Sequence, residues 1–255
     1  MDIIAYIPLT IVVDKMKYSF LFPYYQRTEI RIALLSFQKF YNRSDFEVII
    51  IEDLKNVNSE EHHTCLLKII AEFREKMNIV HLQNDVVSYN ASRSFNIGAN
   101  YSNAEVLMIS NPETYHKSDF LKVIDNEDLS KYLICSCMLE KTDQDIFAFN
   151  DLEKFNFEFI EWYQHGQYNP SKFHWCSFIK RDLYLKIGGF DENYLKGLGY
   201  DDNDFIRNIQ YNKIEVKHLD DLVSSHVLHK RQYQEDLKYL YQINQQYFLN
   251  KWRNL

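Results

Sequence analysis

Residues 199–207, GYDDNDFIR, place Asp201, Asp202 and Asp204 almost side by side. Carboxylates this close repel one another, and stripping water from them is costly. Such a stretch is either bathed in water or built to hold something. Aspartate is favoured at helix starts, so a solvated capping turn is the simplest structural role. Other polar groups recur where apolar runs stop. Tyr24, Gln26 and Arg27 follow one run, Glu52 and Asp53 close a second, and Asn111 and Glu113 follow a third. Near the end, SHVLH carries His226 and His229.

The apolar runs define the elements that must position these groups. KYSFLFPYY (17–25) reads as a buried strand ended by Pro23. Thr28 is placed to cap a helix whose apolar face is Ile30, Ala33, Leu34, Phe37 and Tyr41. FEVIIIED (46–53) is a second strand. Leu66, Ile69, Ile70, Phe73 and Met77 have helical spacing. NIVHLQN (78–84) is a third strand, SRSFNIGANYS (92–102) a helix, and AEVLMIS (104–110) a fourth strand. Continuous apolar strands alternating with helices indicate an α/β fold with a parallel sheet. Ligands of such sheets sit beyond the carboxyl ends of the strands.

The second half is less regular. Aromatic-rich 151–165 reads as a helix or a packing flap. Residues 173–194 read as a strand, a helix Arg181–Ile187 and a Gly188-Gly189 turn. A helix follows GYDDNDFIR, then IEVKHLDD as a strand, and Gln232 to Trp252 as a closing helix. The apolar run in MDIIAYIPLTIVVDK has no basic start and is too short to span a bilayer, so it reads as a strand.

The chain has 255 residues, 46% hydrophobic and 25% charged, which is a globular composition with room for a sizeable core. A net charge of −7 gives no electrostatic footprint for nucleic acid. Cys65, Cys135, Cys137 and Cys176 have no CxxC spacing, the pattern of buried reduced thiols in a cytoplasmic protein.

Four stretches together resemble the GT-A fold glycosyltransferases, above all the family 2 group. These are FPYYQR, VIIIED, NASRSFNIGANYSNAEVLMISNPE and WCSFIKRDLYLKIGGFDENYLKGLGYDDNDFIRNI. The last also resembles the acceptor side of β-1,4-galactosyltransferases, and IGGFDE followed by GYDDNDFIR is its most specific part. The resemblance covers roughly 17–230. It implies a Rossmann-like, mostly parallel central sheet flanked by helices, with a donor half of about 1–115 and an acceptor half of about 116–230. The segment 231–255 would pack on that domain or mediate association.

The resemblance also implies roles. Asp201 or Asp202 would take the proton of an acceptor hydroxyl as it attacks a nucleotide-sugar, the other holding acceptor hydroxyls; the glycine before them favours Asp201 as the base. Asp53 would accept from a nucleobase imide N–H, a task suited to a carboxylate. Pro23, Tyr25 and Arg27 would surround base and ribose. Arg93 and Asn96 fall where relatives contact the nucleotide or its phosphates, and Trp175 would face a sugar. The family's aspartate-x-aspartate motif is altered here to Asn111-Pro112-Glu113. Oxygen ligands remain two apart, with one charge. Glu113 with His226 or His229 would then hold Mn2+ or Mg2+, or cations such as Arg93 would neutralise the diphosphate.

The implied partners are a nucleotide-sugar, with UDP favoured, and a glycan or lipid-linked glycan, joined with inversion. The closing helix would support a homodimer, or peripheral membrane contact through Arg231, Lys238, Lys251 and Arg253. An inactive nucleotide-sugar-binding protein and a nucleotidyltransferase are the alternatives. The second should carry a glycine-rich phosphate loop, and FPYYQR has no glycine.

Overall fold

The structure is a computed structural model, and it describes residues 16–53, 59–84, 90–173, 175–194, 199–229 and 237–253. The expected N-terminal strand, Arg231 and Tyr233 lie outside the described residues. The first half alternates strand and helix. Its elements are β1 (Tyr18–Tyr24), α1 (Ile30–Phe40), β2 (Phe46–Asp53), α2 (Ser59–Phe73), β3 (Asn78–Asn84), α3 (Ala91–Tyr101) and β4 (Val106–Ser110). The second half holds β5 (Thr114–His116), α4 (Phe120–Ile124), β6 (Tyr132–Lys141), β7 (Glu158–Gln164), β8 (Cys176–Lys180) and α5 (Arg181–Lys186). It ends with α6 (Asp201–Tyr211), β9 (Val216–Val227) and α7 (Leu237–Trp252).

One sheet runs through the molecule in the order β3-β2-β1-β4-β8-β6-β9-β5, with β7 paired to β6. β3, β2, β1 and β4 are parallel, as are β6 and β9; β8 inserts antiparallel between β4 and β6. This is the expected α/β architecture, a mostly parallel sheet flanked by helices.

Strand alternation decides what each face carries. Phe20, Phe22 and Tyr24 join Val48 and Ile50 in a core beneath α1 and α2. Leu21, Ile49 and Ile51 enter a second core with Phe95 of α3, Tyr184 of α5, and Phe205 and Ile209 of α6. The last two residues of β2 therefore take opposite faces. Glu52 falls on the α2 side and Asp53 on the α3 side.

Three readings of local structure are corrected. β1 runs through Pro23, which pairs with Ile51. β4 pairs with β1 only as far as Leu21, so Pro23 lies where one side of the strand has lost that partner and a missing N–H is tolerated. Glu29, not Thr28, is the N-cap of α1, and it makes no side-chain cap bond. Segment 151–165 is a short 3-10 turn followed by strand β7, whose outer residues are exposed.

Candidate active site

The carboxyl ends of β1, β2 and β4 lie on one edge of the sheet. Asp53, at the end of β2, is buried. It accepts from the Asn90 backbone N–H at 3.3 Å and the Ser94 hydroxyl at 3.4 Å. Burial pushes its pKa up to about 7, outweighing those bonds, the Asn84 amide and the nearby charge of Arg93. Arg93 Nε donates to Asn84 Oδ1 at 3.2 Å, and Asn90 caps α3 by accepting from the Arg93 N–H. Asp53, Asn84, Arg93 and Ser94 thus form one polar group. Tyr25 and Arg27 sit half-buried in the turn after β1, where Gln26 takes a left-handed φ of 54°.

Asn96 has a different job from the one expected. Its oxygen accepts from the Tyr184 hydroxyl at 2.7 Å and the Phe190 N–H at 3.0 Å. Its amide donates to the Phe190 carbonyl and Glu192 Oε1, both at 2.9 Å. All four hydrogen-bonding positions of the amide are used within the protein. Asn96 staples α3 to the GGFDE loop. A Cβ at Gly189 would stand 2.3 Å from Asn96 Oδ1, so this close approach, at φ 66°, requires glycine.

Beyond β4 the chain turns at once. The Thr114 N–H donates to the Asn111 carbonyl at 3.0 Å, which sets Glu113 at the head of β5. β5 pairs with the end of β9, Thr114 opposite His226. Glu113 Oε1 then lies 3.1 Å from His226 Nε2 and 3.2 Å from His229 Nε2. The carboxylate is deeply buried. Burial alone would raise its pKa, but the two imidazoles outweigh it and hold the group well below the usual carboxylate range. Glu113 Oε2 and His226 Nδ1 are buried without a hydrogen-bond partner in the structure. One carboxylate and two imidazoles with such spare atoms fit a divalent cation, and the three ligand atoms lie within 4.8 Å of one another. Tyr163 of β7 stacks on Trp175, centroids 4.7 Å apart, and meets His226 edge-on at 5.2 Å. The Trp175 carbonyl accepts from the Ser110 hydroxyl at 2.8 Å. Trp175 therefore stands one ring away from the Glu113 cluster.

The acidic stretch divides. Asp201, Asp202 and Asp204 form the first turn of α6, where the helix dipole offsets their repulsion. Asp204 is buried and structural. It accepts from Trp252 Nε1 at 2.6 Å, Lys251 Nζ at 2.8 Å and the Tyr194 hydroxyl at 3.0 Å. Tyr200 precedes the helix in a left-handed conformation, φ 68°. Its ring packs on Tyr241 and Phe248, and its hydroxyl accepts from Gln245 Nε2 at 2.7 Å. A Cβ at Gly199, φ 76°, would meet the Tyr241 ring at 2.9 Å. Helix α7 thus clamps the turn that carries Asp201 and Asp202. Lys251 is tied to Asp191 and Asp204, and Trp252 to Asp204.

The field of Asp202 acts on the buried Tyr132 hydroxyl, which donates to Ser177 Oγ at 2.7 Å. Ser177 pairs with Ile109, next to the end of β4. Asp202 thus lies close enough to the Tyr132 hydroxyl for its charge to be felt there.

No protein-family model matches the chain, and no curated protein matches it. Solved structures do. S. aureus TarS in complex with UDP-GlcNAc superposes with TM-score 0.63 at 17% identity, over 92% of this chain and 67% of that one. GalNAc-T7 with UDP, GalNAc and Mn2+ gives 0.61 at 12%, over 92% and 50%. The mannosyltransferase PcManGT of Pyrobaculum calidifontis, with GDP-Man and Mn2+, gives 0.59 at 13%, over 86% and 59%. The fold is the GT-A-like glycosyltransferase fold. The chain spans between half and two thirds of the length of these structures.

Sequence reasoning missed Tyr163, whose strand was not foreseen. It named Glu52 only as a strand-end carboxylate, without His63 and His81, which lie against it. Among the described residues, no helix is long and apolar enough to cross a membrane.

Proposed function

We propose that the chain is a glycosyltransferase that moves one sugar from a nucleoside-diphosphate sugar to an acceptor hydroxyl with inversion. The observation that carries this reading is the Glu113–His226–His229 cluster set just beyond β4, on the sheet edge that also carries Asp53 at the end of β2. The fold supports it, since solved examples hold UDP-GlcNAc, UDP with Mn2+, and GDP-Man with Mn2+.

Asp53 accepts from the imide N–H of the base, which favours a uridine nucleotide, with Tyr25 and Arg27 around base and ribose. Pro23 shapes the strand end beneath them, and Arg93 and Asn111 reach the donor from either side. Trp175 offers an apolar face to the sugar. Glu113, His226 and His229 would hold a divalent cation, Mn2+ or Mg2+, which would supply charge neutralisation at the diphosphate.

Asp201 takes the acceptor proton as the hydroxyl oxygen bonds to C1. The C1–O bond to phosphate breaks, its electron pair leaves with the nucleoside diphosphate, and C1 is inverted. Asp202 orients acceptor hydroxyls. The acceptor class is a glycan or lipid-linked glycan.

The test has two parts. A panel of UDP- and GDP-sugars is screened by thermal shift with and without Mn2+, where a donor raises the melting temperature. Asp201→Asn is then compared with the parent chain. Donor binding should persist while transfer falls by about 10²–10⁴-fold, the contribution of a positioned base. Unchanged transfer overturns the assignment of the base.

A further inference from the structure

A second carboxylate–histidine cluster lies on the opposite face of the sheet from Asp53. Glu52 comes from the end of β2, His63 from the second turn of α2, and His81 from the middle of β3. His63 Nδ1 and His81 Nε2 approach the same oxygen, Glu52 Oε2, at 2.8 and 2.9 Å. Three potential ligand atoms from three elements thus converge on one point, all within 4.8 Å of one another. The imidazole centroids are 6.0 Å apart.

We propose that Glu52, His63 and His81 form a zinc site that clamps β2, α2 and β3 together. Tetrahedral zinc with bonds of about 2.0–2.2 Å needs ligand atoms about 3.3 Å apart. The two Glu–His spacings, 2.8 and 2.9 Å, are those of direct hydrogen bonds and would open by about half an ångström around the ion. Two nitrogens and one oxygen select zinc, cobalt or nickel over magnesium or calcium. Glu52 is buried while the His63 side chain is 28% exposed, so the group has a charged floor and an open side. A water would complete the fourth position from that side.

The surroundings supply a second indication. Tyr24 pairs with Glu52 across β1 and β2, which places both side chains on one face. The Tyr24 hydroxyl is buried and has no hydrogen-bond partner in the structure. Metal centres commonly hold such polar groups around their ligands. The ion would fix the strand end whose next residue is Asp53, without touching the donor.

The site is independent of the proposed activity, and its test must set the Glu113 cluster aside. The full chain carrying Glu113→Gln and His226→Gln is stripped with chelator and dialysed against micromolar Zn2+. Bound zinc is measured by atomic emission, and circular dichroism checks the fold. One zinc per chain should remain. Adding His63→Gln and His81→Gln should weaken binding by about 100-fold or more, at least the loss seen for outer-shell partners alone. In the otherwise unaltered chain, His63→Gln with His81→Gln should remove one equivalent of Co2+ absorption. Absence of zinc from the first variant, or zinc and cobalt binding indifferent to the His63 and His81 changes, overturns the proposal.

Discussion

Two clusters of identical composition, one glutamate and two histidines, occupy very different places. Glu113, His226 and His229 meet where β5 and β9 leave the sheet edge, beside Trp175 and the end of β4. Glu52, His63 and His81 meet behind β2, between a helix and an edge strand. The first keeps a buried carboxylate oxygen and an imidazole nitrogen without partners. The second lies on the opposite face of β2 from Asp53, the residue next to Glu52. On the roles proposed above, the same three side chains serve transfer chemistry in one place and hold a scaffold in the other. What decides is whether the cluster stands at the strand ends facing a ligand or within the layer beneath.

Changes at a scaffold should be read in stability and changes at a site in binding. The largest effect is expected at the best-paired scaffold group. Asp204→Ala leaves Trp252 Nε1 and the Tyr194 hydroxyl without their acceptor and Lys251 with Asp191 alone, and should cost about 2–6 kcal/mol, about 1–3 for each buried donor left unsatisfied. Urea denaturation measures it directly. Glu113→Gln should weaken Mn2+-dependent donor binding by about 100-fold while moving the melting temperature of the unliganded chain little. A large loss of stability instead would reclassify Glu113 as scaffold.

A smaller effect concerns Asp53. Its pKa of about 7 means the carboxylate that receives the imide N–H forms only as pH rises through neutrality. UDP affinity should fall as pH drops below 7, by up to about tenfold per unit, and Asp53→Asn should flatten the profile. The sign for the unliganded chain is opposite. The folded state holds the proton more tightly than the unfolded one, so stability should decline as pH rises from about 4 to about 7 and level off above. The smallest effect is Gly199→Ala. A left-handed φ costs about 1–2 kcal/mol without glycine, and the Tyr241 ring must also give way. Transfer should suffer more than donor binding, since that turn carries Asp201.

Much of this was legible in the residues. FEVIIIED coincides with β2 because a buried parallel strand is a continuous apolar run between turns, and NIVHLQN with β3, a partly exposed edge strand. EFIEWYQ hid its strand, since β7 is an exposed edge whose Tyr163 gains its ring partners from Trp175, just before β8, and from His226 of β9. β9 extends past IEVKHLDD because a register shift absorbs residues 220–222, letting Asp220 accept from the Gly166 N–H and Ser136 hydroxyl. Glu113 with His226 was anticipated through resemblance. Asn96 was misread because its spacing fits a ligand contact as well as a staple. Glu52 belongs to VIIIED, but His63 and His81 carry no motif, and only the pairing of β2 with β3 under α2 brings the three together.

The most direct measurement is calorimetric titration of UDP, with and without Mn2+, into the parent chain, Glu113→Gln and His63→Gln. Mn2+-dependent UDP binding should vanish in Glu113→Gln and survive in His63→Gln. Binding that persists in Glu113→Gln, or that is lost with His63, contradicts the division of roles between the two clusters.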